Sequence, residues 1–191
     1  MNNFDVSIFR WLNSWSRLSP LLEDIFLFLA DNMGYLLLAV SLLGIFIIKK
    51  PTPRRLAGYL SFVAVSGLVS RFLVAEAVRY FWSRPRPFEV LEGVQQLLVH
   101  QGGGAFPSGH ASFYFAVAGS LFFIDKRLGI FMSVGAFVLG AGRVVAGVHW
   151  PTDILGGAFF GYMTGFLIGF LGYQLMRKLD PDVITMNEKE L

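Results

Sequence analysis

The chain has 191 residues, 54% of them hydrophobic and only 15% charged, with a mean hydropathy of +0.58. A soluble domain carries roughly 25% charged residues, so this composition excludes an ordinary soluble globular protein and points to an integral membrane domain. The lack of cysteine excludes a disulfide framework, a thiolate nucleophile and a cysteine-ligated metal. A formal charge of +3 calls for no nucleic-acid partner.

The first stretch, FDVSIFRWLNSW, places Phe4, Ile8, Phe9, Leu12 and Trp15 at near-helical spacing. That pattern predicts an amphipathic helix, either lying at the membrane interface or packed as an ordinary terminal helix. Asp5 and Arg10 interrupt it, so it does not read as a secretory signal. A spanning helix needs about 20 mostly apolar residues. Five stretches are candidates: Asp31 to Ile48, Leu56 to Tyr80, Ala111 to Ile124, Leu128 to Val145 and Ile154 to Met176. The third is short and must borrow residues from its flanks. Pro20 to Ala30 is too short to span alone; it either lengthens the first span or forms a half-helix of its own, which leaves a sixth span open. From Asp180 onward the chain is polar and reads as a short loose tail. The expected fold is therefore all-α: one membrane helix bundle with five to six transmembrane helices, N-terminal helices over residues 1–30 and a cytoplasmic tail over 180–191.

Loop charges predict the orientation. KKPTPRR at 49–55, DKR at 125–127 and the Arg177–Lys178 pair are net positive and belong on the cytoplasmic side. The loops 81–110 and 146–153 then share the outer face. Trp82 and Trp150 flank them and suit an interfacial aromatic belt. Gly157, Gly161, Gly165 and Gly169 recur every four residues in the last span and predict a smooth stripe for close helix packing.

The two outer loops hold the chemistry. RYFWSRPRP crowds Arg79, Arg84 and Arg86. Taken alone, such a patch touches lipid headgroups; as a group of guanidinium forks it also matches phosphate oxygens. FPSGHAS follows, with Pro107, Ser108, Gly109 and His110 at the start of an apolar run. A helix N-terminus presents free N–H groups and the positive end of its dipole, which makes it an anion site. In the second loop, GRVVAGVHWPTD, Arg143 precedes His149 by six residues and Asp153 follows four later. Pro151 is placed to start a helix, so Asp153 can reach back to one imidazole nitrogen of His149 and leave the other free as base or nucleophile. Each block alone has a structural explanation. Together they supply anion clamps, a histidine with an orienting carboxylate, and a second histidine as acid, which are the parts of phosphoryl transfer through a histidine.

These blocks resemble the type 2 phosphatidic acid phosphatases, whose pattern is K-x6-R-P, then P-S-G-H, then S-R-x5-H-x3-D. Here the blocks are Arg79 to Arg86-Pro87, Pro107 to His110, and Arg143, His149 and Asp153. The likeness covers roughly residues 56–172. Arg79 stands where the family has lysine, and Gly142 where it has serine. The resemblance implies a helical membrane phosphatase with His149 as nucleophile, Asp153 orienting it, and His110 as acid and then base. Arg79, Arg86, Arg143, Ser108 and the amide of Gly109 would hold the phosphoryl oxygens. It implies no metal and no cofactor, since arginines take the role of a metal. Within the family, the small size and the SRPRPF segment look most like bacterial undecaprenyl pyrophosphate phosphatases, acting at the outer face of the cell membrane. A phosphatidylglycerophosphate or phosphatidate phosphatase, or a non-catalytic lipid-binding protein, stands as the alternative. Arg71 and Glu76 lie inside the second span, where buried charges either mark an ion path, as in a transporter, or pair with neighbours or with the outer end of the site.

Overall fold

The computed structural model describes residues 3–180, all helix and connecting loop. The polar tail expected beyond Asp180 lies outside the described residues. In chain order the helices are α1 (Asn3–Ser14), α2 (Pro20–Leu27), α3 (Met33–Lys49), α4 (Pro53–Val69), α5 (Ala75–Phe81), the short α6 (Pro87–Val90), α7 (Gly109–Leu121), α8 (Lys126–Val145) and α9 (Pro151–Leu179). Two π turns, Phe28–Asn32 and Ser70–Val74, join α2 to α3 and α4 to α5 without a break. Pro20–Lys49 is thus one helical run, so the segment before Asp31 lengthens the first span and forms no sixth one.

Helix starts follow local chemistry. Ser19 accepts from Leu22 N ahead of Pro20, and Thr52 accepts from Arg55 N ahead of Pro53. Both are side-chain caps before a proline whose missing N–H costs nothing at the first turn. Asp125 caps α8 through Arg127 N at 2.8 Å. The first long run ends at Lys50, which takes the left-handed conformation with φ 41°.

Four helical runs are long and apolar enough to cross a membrane: Pro20–Lys49, Pro53–Phe81, Lys126–Val145 and Pro151–Leu179. The expected third span is the exception. α7 has 13 residues, about 20 Å of helix against a hydrocarbon thickness of about 30 Å. With its flanking residues it still joins the two ends of the bundle, from Ser108 beside Asp153 to Asp125 beside Lys49, as a buried axis with all but two of its residues buried, enclosed by α4, α8 and α9. A helix apolar on every side belongs in such a place. The outward faces of the long helices stay apolar and exposed, among them Leu43, Phe46, Phe72, Phe137, Phe159 and Phe166, as contact with lipid requires.

Small residues set the α7–α9 spacing. A side chain begun at Gly157, Gly161, Gly165 or Gly169 would stand 2.2–2.9 Å from α7 backbone atoms. Hydroxyls then tie α4 to α7: Ser70 donates to Ser112 O at 3.0 Å, and Ser66 donates to Ser120 Oγ at 3.1 Å. In lipid, where apolar burial gives helices little reason to associate, close packing and such bonds hold a bundle together.

The positive loops gather at the end of the bundle away from the histidines. Lys49 pairs there with Asp125 at 3.3 Å, and Arg55 with Asp180 at 2.6 Å.

The glycine contact yields a test. Gly165→Ala places a methyl 2.2 Å from Ala116 O, a backbone atom that cannot swing aside. The expected cost is about 1–3 kcal/mol, the usual penalty of overpacking, read as a lower unfolding temperature in detergent. Unchanged stability would contradict this α7–α9 register.

Candidate active site

Three short segments meet at one end of the bundle: the run from Arg79 to Arg86, the start of α7, and the turn from Arg143 to Asp153. Pro151 begins α9, and Asp153 sits in its first turn, where a carboxylate satisfies free backbone donors. Its Oδ2 accepts from Trp150 N at 2.8 Å and lies 3.4 Å from His149 Nδ1. Asp153 is 0% exposed and His149 1%. The carboxylate fixes the tautomer by accepting a hydrogen bond from Nδ1–H, so the lone pair falls on Nε2. Nε2 faces Arg86 Nη1 at 3.4 Å. Burial, and then the charges of Arg143 and Arg86, hold the His149 imidazole well below its ordinary range, so it is neutral.

The arginines surround this point. Arg86, 3% exposed, donates to Val148 O at 2.8 Å and to Gly104 O at 3.4 Å. Arg143, also 3% exposed, donates to Ala30 O at 2.8 Å. That carbonyl belongs to the first π turn, where the widened helix frees a backbone acceptor. The Nε atoms of both arginines are buried without a partner among the described residues, an expensive state unless a ligand supplies the acceptor. Arg79 donates through Nε and Nη2 to Pro107 O, at 3.3 and 2.8 Å, and through Nη1 to Glu76 at 2.5 Å. One fork spans two acceptors, which the single nitrogen of a lysine cannot do with the same geometry.

Ser108 caps α7, its Oγ accepting from Ala111 N at 3.5 Å, while its own N–H donates to Asp153 O at 3.0 Å. The cradle and the His149 turn are therefore joined through backbone. Gly109 is the first helical residue and His110 the second, within electrostatic reach of Arg143, Arg71 and Arg79. An open cleft of about 440 Å³ leads to the group, lined by Glu76, Arg79, Tyr80, Arg86, His100 and Gly102–Gly104. The QGGG run forms its rim: Gly103 has φ +114°, and a side chain at Gly104 would meet Arg79 at 3.3 Å. Gly142 also has a reason. A side chain there would begin 3.1 Å from Ala30 N, against the first π turn.

Sequence reasoning missed a supporting cluster. Asp5, 2% exposed, accepts from Arg84 Nη2 at 2.6 Å, Thr152 N at 3.1 Å and Thr152 Oγ1 at 2.5 Å. Arg84 donates onward to Asp153 Oδ1 at 3.0 Å and lies over the Trp150 ring at 5.1 Å. Asn13, two turns further along α1, bonds Gln95 O and Val145 O, each at 2.8 Å. The buried face of α1 is thus Asp5, Phe9 and Asn13, while Phe4 and Trp11 point outward. Trp150, expected in an interfacial belt, is instead fully buried. α1 covers it, Phe9 packs on its ring at 5.3 Å, and its Nε1 donates to Pro85 O at 2.9 Å.

Removing one partner of a buried charge pair costs about 3–5 kcal/mol. Asp5→Ala should lose stability on that scale, measured by thermal or denaturant unfolding in detergent. A loss below about 0.5 kcal/mol, the range of neutral surface changes, would show that this cluster does not hold α1.

Comparison with known proteins finds relatives over most of the chain. The chain is 28% identical over 167 residues to the bacitracin transport permease protein BcrC of Bacillus licheniformis, covering 87% of this chain and 80% of that one. It is 27% identical over 176 residues to the undecaprenyl-diphosphatase BcrC of Bacillus subtilis, covering 92% and 86%. Among solved structures it resembles LpxE of Aquifex aeolicus, with a TM-score of 0.67 and 27% identity over 87% of this chain and 95% of that one. The model of the PAP2 superfamily matches residues 55–177, which include all three blocks. With most of its length matched and the blocks gathered at one end of the bundle, the chain belongs to the PAP2 superfamily.

Proposed function

We propose that this chain removes the terminal phosphate from a lipid diphosphate of the polyprenyl type, through a phosphohistidine on His149. The observation that carries the reading is the buried His149, its Nδ1 3.4 Å from Asp153 Oδ2 and its Nε2 3.4 Å from Arg86 Nη1, where burial and the arginines favour the neutral ring. Such a nitrogen is a nucleophile at neutral pH. The likeness to the undecaprenyl-diphosphatase of Bacillus subtilis supports the diphosphate substrate. The apolar faces of the bundle support a substrate held in the bilayer by its tail.

The Nε2 lone pair attacks the terminal phosphorus, and the bond to the bridging oxygen breaks. Asp153 stabilises the charge that develops on the imidazole. Arg86, Arg143 and Arg79, with the Gly109 amide and the Ser108 hydroxyl, hold the phosphoryl oxygens. They are fixed before the reaction, so stabilising the developing charge requires no reorganisation. Burial and the neighbouring arginines disfavour a charged His110; the anionic substrate offsets those charges, so in the complex His110 gives its proton to the leaving lipid monophosphate, then takes one from the water that attacks the phosphohistidine. The products are a lipid monophosphate, inorganic phosphate and free His149. Arginines perform the neutralisation that a metal would, so the reaction proceeds in chelator.

Placement of the site on the outer face of the cell membrane is part of the same reading. Lys49, Lys50, Arg54, Arg55, Lys126, Arg127, Arg177 and Lys178 gather at the opposite end of the helices, the side that faces the cytoplasm by the positive-inside rule.

The test is phosphate release from purified protein in detergent with EDTA, comparing undecaprenyl diphosphate, phosphatidylglycerophosphate and phosphatidate. The expected result is preference for the diphosphate and a loss of roughly 10³-fold or more in kcat for His149→Ala, given the interdependence of such groups. Preference for a glycerolipid would move the role to phospholipid turnover. Retained activity in His149→Ala would remove the assigned nucleophile, and strong inhibition by EDTA would show that a metal takes part.

A further inference from the structure

The first helix has three faces rather than two. At 100° per residue, each face is a sector about 60–80° wide. Asp5, Phe9 and Asn13 fall in one sector, and all three are buried. Phe4, Ile8 and Trp11 fall in the next, continued by Trp15 just past the helix end; Phe4 and Trp11 are exposed, Ile8 and Trp15 half-buried. Asn3, Ser7, Arg10 and Ser14 fall in the third, and all four are exposed. A helix that meets only protein and water needs one apolar face and one polar face. Three faces fit a helix that meets protein, water and a separate apolar medium.

The contacts of α1 set its direction. Asp5 and Asn13 stand two turns apart, about 12 Å along the axis. Asp5 nevertheless meets Thr152 in the first turn of α9, and Asn13 meets Val145 O at the end of α8. Both partners lie at the end of the bundle that holds the site. The helix therefore lies across that end, parallel to the membrane plane.

Its two exposed sectors then look in different directions. The polar one faces the loop outside the spans: Arg10, Ser14 and the following Arg17 line a small cleft against Leu91–Val94, and Arg17 donates to Gly93 O. The apolar one faces the first span. The rings of Trp11 and Trp15 meet edge-on at 4.7 Å, and Trp15 lies 6.5 Å from the Phe26 ring of α2. From there the exposed Leu21, Ile25 and Phe28 carry the same apolar surface along Pro20–Lys49, the first membrane-spanning run. The face of α1 that bears Phe4 and Trp11 is thus continuous with a surface that meets lipid. Tryptophan favours the boundary between headgroups and chains, and an exposed Arg10 beside it suits anionic headgroups.

We propose that α1 is seated in the bilayer interface at the site's end of the bundle, with Phe4, Ile8, Trp11 and Trp15 in the headgroup–acyl boundary, and that this seat helps to hold Asp5 on Arg84. The lipid surface is then part of the support of the His149 turn, because Arg84 passes the restraint to Asp153. Without the seat, α1 is held by its inward face alone. The seating is independent of which lipid the site cleaves.

The chain has no cysteine, so a single introduced thiol reports alone. Full-length Trp11→Cys and Ser7→Cys, each carrying a nitroxide, are placed in vesicles of phosphatidylethanolamine and phosphatidylglycerol. Depth is read from relaxation by oxygen, which concentrates in hydrocarbon, against relaxation by a water-soluble nickel chelate. The label at position 11 should sit about 5–10 Å below the headgroup level, and the label at position 7 in water. Equal access of nickel to both overturns the proposal. Mutual broadening of labels at position 11 that persists on dilution with lipid puts a second copy of the chain on that face, and overturns it as well. Hydrogen exchange in the same vesicles tests the restraint on α1. Trp11→Asp should speed exchange of the α1 amides roughly 10-fold, the effect of losing most of one apolar side chain's burial. Ser7→Asp should leave exchange unchanged, and Trp11→Phe should keep most of the protection. Unchanged exchange in Trp11→Asp, or the same increase in Ser7→Asp, overturns the restraint.

Discussion

A buried carboxylate with too few partners would undo this end of the bundle, and Asp153 is the group on which the rest depends. One oxygen takes the His149 ring and the Trp150 amide; the other takes Arg84. Arg84 is shared with Asp5, and Asp5 also takes both donors of Thr152. The imidazole orientation is thus set by a chain of charge-assisted bonds that ends in the first helix. Asp5 and Asp153 are too buried to be satisfied by water, so α1 must lie across the bundle for the imidazole to be correctly turned.

The same logic accounts for the two π turns. Irregular helix is tolerated at membrane depth where protein or a cavity satisfies the freed groups. In the first turn Ala30 O receives Arg143. In the second, the changed register brings Arg71 and Arg79 together over Gly109. Gly142 and Gly109 allow the approach at each turn. Backbone irregularity, small residues and guanidinium groups coincide, which is how a helical bundle makes an anion site without loops inside the bilayer.

The long apolar runs, the charged loops and the glycine stripe were legible in the sequence because each is a local periodicity. His149 and Asp153 were legible for a similar reason, since their spacing becomes a contact once Pro151 starts a helix. The Asp5 cluster was not, because its partners are 79 and 147 residues away. Of the apolar residues spaced along α1, Phe9 is buried and Phe4 exposed, because Asp5 and Asn13 share the inward face, and apolar periodicity carries no sign of their distant partners. Trp150 was misplaced, since nothing local reveals that α1 covers the ring. The π turns carry no residue pattern, so the convergence of Arg71 and Arg79 on Gly109 was not legible.

The central claim is that His149 Nε2 becomes covalently bonded to phosphorus. The direct measurement is rapid quench of the protein mixed with a lipid diphosphate, followed by mass spectrometry of its peptides under alkaline conditions. The account predicts an acid-labile, alkali-stable phosphate on the peptide carrying His149, formed within the first turnover and absent in His149→Ala. A protein that turns over the same lipid while never carrying phosphate on that histidine would contradict it.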